Sequence, residues 1–275
     1  NAVIARLSGG GQSNLSSLSG IGAGTKPFSA AGRRTIKLGF TLAEVLITLS
    51  IIGVVAAMTL PSLIQKNVEK TTVAQLKKTY SAMSQAYLSI LSEEGSPDTW
   101  GLADKMTEGG GKVLMDRFAK YLKIIKNCGT TEKGCYSEGS SDTQGNTAAK
   151  AVLGDGSAIS LKVWNQACGA SYGGIKQLQG MCAILEVDVN GLKKPNKQGQ
   201  DIFRFFITKT SIYPYGTAMQ EDQSTENTED NLTFEHCARH KGDSLGCTAW
   251  VLYNENMEYL RCSDLSWDGK KTCKK

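Results

Sequence analysis

One apolar run constrains this chain more than any other feature. Residues 40–60 read Phe-Thr-Leu-Ala-Glu-Val-Leu-Ile-Thr-Leu-Ser-Ile-Ile-Gly-Val-Val-Ala-Ala-Met-Thr-Leu, 21 residues whose one charge is Glu44. Wound as a helix at 1.5 Å per residue, the run reaches about 30 Å, the thickness of a bilayer's hydrocarbon core. Arg33, Arg34 and Lys37 stand just before it, which predicts a cytoplasmic N-terminus and an exported C-terminal part. Lys66, Lys70, Lys77 and Lys78 follow it. They weaken that bias, although they are spread along a helix with Glu69 as a partner.

Two simple readings leave something over. A secretory signal peptide would use the basic residues, the apolar core and Val55-Ala56-Ala57 as a small-residue cleavage site, with Met58 as the new start. The run is longer than such a core, carries an acid near its start and passes into helix rather than loop. A plain single-span anchor explains length and orientation but not Glu44. An ionisable group inside a span costs at least about 2.5–3.5 kcal/mol and marks a functional position.

A third reading rests on Lys37-Leu38-Gly39-Phe40-Thr41-Leu42-Ala43-Glu44-Val45-Leu46. This stretch resembles the processing signal of type IV pilins and type II secretion pseudopilins. In that family a basic leader ends at Gly, Phe usually follows, Glu lies four residues further on, and a Pro recurs twenty-one residues after the Phe, here Pro61. The resemblance covers roughly 25 residues of the 275. It implies cleavage after Gly39 by prepilin peptidase and an N-methylated Phe40. It also implies that Glu44 meets the α-amine of Phe40 in a neighbouring subunit and so sets subunit register. The stretch between Gly53 and Pro61 would unwind as subunits pack. Each residue also has a plainer use: Gly39 as a flexible residue, Phe40 as an anchor, Pro61 as a kink, and Thr41-x-x-Glu44 as a capping box. The chain opens on Asn, and a leader of 39 residues is longer than most in the family, which questions the start of the leader rather than the cleavage position.

The formal charge of +5 belongs to that leader. Residues 1–39 hold Arg6, Lys26, Arg33, Arg34 and Lys37 without one acid, so residues 40–275 carry 26 basic and 26 acidic side chains. A basic face for nucleic acid loses its support, and no nucleic-acid partner is expected. Cys128, Cys135, Cys168, Cys182, Cys237, Cys247, Cys262 and Cys273 all lie beyond the apolar run, which fits disulfides in an oxidising compartment. Eight cysteines allow 105 pairings. The sequence-neighbour scheme (128–135, 168–182, 237–247, 262–273) closes four short loops and is the first expectation.

After Pro61, Ile64, Val68, Leu76, Tyr80, Met83, Tyr87 and Leu91 recur at steps of three or four, with Thr72 filling the gap, until Gly95-Ser96-Pro97 stops the pattern. Span and stripe together predict one helix of about 54 residues and about 80 Å. A second helix is expected over 112–126. Asp155-Gly156 signals a turn before a strand at 159–164, and further strands are expected at 183–189 and 202–208. Residues 248–260 read as a last helix, with strand an alternative for Trp250–Tyr253. Surface loops are expected at 137–149 and 216–231. The fold expected is α+β, a long N-terminal helix packed on a small antiparallel sheet with disulfides. Its parts are a cleaved, disordered leader (1–39), the helix (40–95, of which 40–60 cross the membrane) and an exported head (96–275).

The β connection 188–201 is the one site-like stretch of the head. Asp188, Asn190, Asn196 and Asp201 supply hard oxygens suited to calcium. Some major pseudopilins carry a calcium site in a comparable loop, whereas Lys193, Lys194 and Lys197 oppose a cation and the Asn and Gly residues also suit plain turns. His236, Cys237, His240 and Cys247 match zinc by count but not by spacing, and a Cys237–Cys247 bridge competes. No catalytic motif appears, and no enzyme is expected. The reading is a structural subunit held in the inner membrane, N-in and C-out, then moved to a pilus or pseudopilus. Its partners are prepilin peptidase, other pilin or pseudopilin subunits in a homo- or heteropolymer, and an inner-membrane assembly platform. The alternative is a signal-anchored exported binding protein or adhesin that never polymerises. A mature chain of 236 residues, the 275 less the 39 of the leader, is long for a major pilin, which suits a minor, tip or adhesive subunit.

Overall fold

In the computed structural model, which describes residues 39–131, 133–137, 146–171, 176–217 and 233–273, run and stripe form one helix, α1 (Leu42–Glu94). Pro61 lies inside it. The helix ends as expected: Gly95 takes φ +74° and donates its N–H to Leu91 O at 3.1 Å, a left-handed C-cap. Pro97 then opens a short 3-10 turn, Pro97–Thr99.

Residues through Gly53 make up one compact unit and those from Val54 another. In the first, every described residue from Gly39 on is exposed. In the second, α1 buries Thr72, Val73, Leu76, Thr79, Met83, Ala86, Tyr87 and Ile90. The face therefore opens at Thr72. Ile64 and Val68, expected on it, remain 59% and 56% exposed, a correction to the start of the stripe. The partner surface is a seven-stranded antiparallel sheet of strands β1 (Ile124–Gly129), β2 (Ala149–Leu153), β3 (Ala158–Val163), β4 (Ala170–Ser171), β5 (Gln179–Asp188), β6 (Ile202–Thr208) and β7 (Ile212–Pro214). Its order is β1-β2-β3-β5-β6-β7, with β4 pairing to β5 beside that path.

Alternation sends Ile159, Leu161, Leu185, Val187, Phe203 and Phe205 to the helix side, where they join the core with Leu76, Met83 and Tyr87. Two tyrosines fasten the layers. Tyr80 stacks on Phe205 with centroids 5.3 Å apart and donates its hydroxyl to Ile212 O at 3.1 Å. Tyr87, fully buried, donates to Thr208 O. Each ring buries apolar area while its hydroxyl finds a carbonyl.

The expected strands appear at β3, β5 and β6. The β2–β3 hairpin turns at Asp155-Gly156 as read: Gly156 has φ +89°, and Asp155 Oδ1 accepts from the Ser157 N–H and hydroxyl. The second helix is shorter than expected, however. Helix α2 covers Lys112–Phe118, and Ile124 pairs with Leu153 in β1. Pairing distant in sequence overrides the local period, and the β-branched Ile124-Ile125 suit it. After α3 (Phe234–Arg239), helix α4 spans Thr248–Asn254, so Trp250–Tyr253 is helical. It ends at Glu255 in the left-handed region (φ 54°), short of the expected 260, and Glu258–Leu260 form a separate 3-10 turn. Of the expected loops, 138–145 and 218–231 lie outside the described residues, and Ala149 opens β2. The leader through Leu38 also lies outside them.

All four disulfides follow the sequence-neighbour scheme: Cys128–Cys135, Cys168–Cys182, Cys237–Cys247 and Cys262–Cys273. They staple turns within the head rather than joining distant elements.

The two halves of the stripe should respond differently to truncation. Leu76→Ala should cost about 2–5 kcal/mol in urea denaturation of the detergent-solubilised chain. Ile64→Ala should stay within about 0.5 kcal/mol. Equal losses would mean that the helix–sheet contact begins before Thr72.

Candidate functional site

The apolar run meets its polar groups locally. Thr48 donates its hydroxyl to Val45 O, Ser50 to Leu46 O and Thr59 to Val55 O, at 2.8–3.0 Å. Such back-bonding lets hydroxyls enter an apolar helix without unmet donors. Glu44 closes the capping box with Thr41. The Thr41 N–H and hydroxyl donate to Glu44 Oε2 at 2.8 and 2.9 Å, and the Glu44 N–H donates to Thr41 Oγ1 at 3.2 Å. Both bonds to the carboxylate land on Oε2, leaving Oε1 without a partner among the described residues. Gly39 and Phe40 precede the helix and are exposed. Pro61 lies within α1, also exposed. This is the one helix among the described residues long and apolar enough to cross a membrane, and none of its most apolar window is buried.

The second group of candidates lies on the sheet face turned away from α1. Register places Lys150, Ser160, Glu186 and Arg204 in one row across β2, β3, β5 and β6, all buried. Glu186 is bridged to Arg204 Nε and also accepts from the Tyr136 hydroxyl at 2.8 Å. That pair is neutralised and hydrogen-bonded, as a buried ion pair must be. Two residues along the same face of β5 comes Asp188, also fully buried.

The connection from β5 to β6 brings the four predicted oxygen donors together. Asn190 donates its side-chain amide to Asp201 Oδ2 at 3.1 Å, and the backbone N–H groups of Asn196 and Lys197 donate to Asp201 at 2.8 and 2.6 Å. Asp188 Oδ1 accepts from the Asn190 N–H at 3.3 Å. Glycine is required at one corner: Gly191 has φ +70°, and a Cβ there would meet Gly156 O at 2.6 Å. Lys193, Lys194 and Lys197, counted against a cation in the sequence, are exposed. Neither Asp188 nor Asp201 has an ion-pair partner among the described residues. Asp188 Oδ2, Asn190 Oδ1 and Asn196 Oδ1 are buried without a hydrogen bond, as is Ser137 Oγ, which lies near Asp188 but outside bonding geometry. Burial, then repulsion from Asp201, pushes the Asp188 carboxyl up to about 7. Burial likewise raises Asp201, against the amide donors that lower it.

Unmet carboxylate, amide and hydroxyl oxygens suit a hard cation such as calcium and offer no soft ligand. Among the described residues no group of three His, Cys, Asp or Glu side chains could hold a metal. The zinc alternative loses its thiols to the Cys237–Cys247 bridge. His236 and His240 stack at 3.8 Å, with Nδ1 of His236 on Ser244 Oγ and Nδ1 of His240 on His236 O. What the sequence did not reveal is the buried Lys150–Glu186–Arg204 row. Lys150 lies in no expected strand, and no local signal showed that the outer face of β5 and β6 is covered.

The family model described as "Prokaryotic N-terminal methylation motif" matches residues 35–60. This is the signature of the prepilin-type segment. Comparison with curated proteins and with solved structures returns no match.

The acidic loop makes stability depend on pH. In the folded head Asp188 keeps its proton up to about 7, whereas the unfolded chain releases it near 3.9. Between those values the folded state binds more protons, so stability falls as pH rises from about 4 to 7. Urea denaturation in chelator should show that decline, and Asp188→Asn should flatten it. An unchanged slope would place the titration elsewhere.

Proposed function

We propose that this chain is a structural, non-enzymatic pilin-like subunit, cleaved after Gly39 by prepilin peptidase and assembled with other such subunits into a type IV pilus or type II secretion pseudopilus. The observation that carries this reading is the methylation motif at residues 35–60 on a helix whose most apolar window has no buried residue. An apolar surface of that size needs a bilayer or other subunits around it. In this reading residues 40–60 hold the subunit in the inner membrane, N-in and C-out, and later form part of the filament core. The carboxylate of Glu44 meets the Phe40 amine of a neighbour, which compensates a charge that is costly in an apolar setting. The stretch from Gly53 to Pro61 is the helix segment with the weakest helical preference and the one that unwinds on packing.

Processing is tested by the N-terminus of the protein recovered from cells with and without prepilin peptidase. Phe40 should be first only where the peptidase is present. Uncut protein in both, or a start at Met58, would return the chain to the anchored or secreted readings, including the non-polymerising adhesin. Glu44→Leu should leave insertion and cleavage intact and remove the subunit from filaments. Normal incorporation of that variant would end the proposed role of Glu44.

A second reading concerns the head. Asp188, Asn190, Asn196 and Asp201 hold a calcium ion, a reading supported by the three unpartnered buried oxygens and two unpaired carboxylates. A bound cation would supply the charge that these residues lack and fix the β5–β6 connection. Calcium at about a hundredfold over its Kd should raise the melting temperature by about 5–10 °C relative to chelator. Asp188→Asn with Asp201→Asn should abolish the rise. A rise that survives the double variant would place calcium elsewhere.

A further inference from the structure

Partners sort the four lysines that follow the apolar run. Lys77 pairs with Glu255 at 2.5 Å and Lys78 with Asp155 at 3.1 Å. Glu69, the acid beside Lys66 and Lys70 in sequence, turns instead to Arg261 at 2.5 Å. Lys66 and Lys70 are thus exposed cations with no ion-pair partner among the described residues. Four residues apart, they share one face of α1, and they line a cavity of about 200 Å³ with Val73, Met257 and Glu258 among its other walls. The carboxylates on that cavity are engaged already: Glu69 by Arg261, Glu255 by Lys77, and Glu258 by the Cys273 N–H.

Height along the helix decides what these cations meet. Lys66 lies six residues beyond Leu60 and Lys70 ten, about 9 and 15 Å along the axis. Helical side chains lean toward the N-terminus, so both ammonium groups reach back toward the span. The headgroup layer occupies about 5–8 Å on each side of the hydrocarbon core. Lys66 reaches into that layer and Lys70 to its outer edge. Below them Leu63 and Ile64, also exposed, sit at the boundary with acyl chains. Apolar residues under a pair of unpaired cations match the order of groups in a phospholipid.

We propose that Lys66 and Lys70 bind the phosphate of an anionic membrane lipid on the exported side of the bilayer. The contact sets the depth of the subunit in the membrane and is given up when the subunit is extracted. It rests on the reading of residues 40–60 as a membrane span.

The test uses the full chain in phosphatidylcholine nanodiscs with a trace of spin-labelled phosphatidylglycerol, compared with the same label on phosphatidylcholine. Alkali-resistant insertion is checked first: a chain that does not insert overturns the span reading and this proposal together. The inserted chain should prefer the anionic lipid, and Lys66→Gln and Lys70→Gln should each lower that preference about fivefold. The basic leader is common to all variants and cancels. Unchanged preference in the double variant of an inserted chain overturns the lipid site alone. Displacement by millimolar inorganic phosphate would assign the site to free phosphate and overturn it as well. Loss of cross-linked oligomers without loss of lipid preference would show that the lysines face a second copy of the chain.

Discussion

Helix α1 carries two kinds of apolar surface, and the rest of the structure follows from where it changes between them. Up to Val68 none of its apolar residues is buried, and from Thr72 the same helix buries one face every three or four residues. That stripe gives the sheet its reason to exist. Ile159, Leu185 and Phe205 present an apolar face that, without Leu76, Met83 and Tyr87, would stand in water. A sheet built of short strands and small turns gains independent stability by packing on a helix. The four disulfides, each closing a short loop within the head, add to this without deciding the topology.

The opposite sheet face obeys a different constraint, because it buries charge. Glu186 and Asp188 are two residues apart on one strand and share that face, yet their surroundings differ. Glu186 has a guanidinium across the register and a phenol above it. Asp188 has one amide donor, an acidic neighbour and an orphan oxygen. A buried carboxylate without a cation must keep its proton or acquire a counter-charge. The two residues that follow the Cys128–Cys135 loop reach both, since Tyr136 caps Glu186 and the adjacent Ser137 stands by Asp188. A structural ion pair and an acidic pocket without a counter-charge among the described residues thus sit side by side beneath the segment that leaves this disulfide.

How much of this could be read from the residues alone depended on how local each signal was. The long apolar helix, the Gly95 stop, the Asp155-Gly156 turn and the strands at β3, β5 and β6 were legible because period, cap and turn chemistry lie within a few positions. The cysteine pairing was also legible, as neighbours in sequence are neighbours in space here. Strand β1 was not: Leu122 and Ile125 continue a helical period from Leu114 and Phe118, and only pairing of Ile124 with the distant Leu153 cancels it. The early part of the amphipathic stripe was misread for a related reason. Ile64 and Val68 keep the period, but whether a periodic face is covered is decided by where the partner sheet ends. The four donors of the β5–β6 connection were visible as residue types, while the unbonded oxygens of Asp188, Asn190 and Asn196 emerged only from the packing.

Glu44 shows how a local explanation and the proposed assembly role can coexist on one side chain. The capping box is present, and by itself it accounts for an acid at the third helical position. It consumes only one carboxylate oxygen, because the N–H and hydroxyl of Thr41 both bond Oε2. Cleavage after Gly39 would create an amine at Phe40 and leave the Thr41 N–H in place, so the cap survives processing. It would then hold the carboxylate in one rotamer with Oε1 turned outward, ready for a cation on another chain. A free Glu in a span is costly and mobile; a capped one is pre-organised, and pre-organisation lowers the entropy lost when a partner binds. In the proposed reading the cap is therefore not a rival to the subunit contact but the device that would orient Glu44 for it.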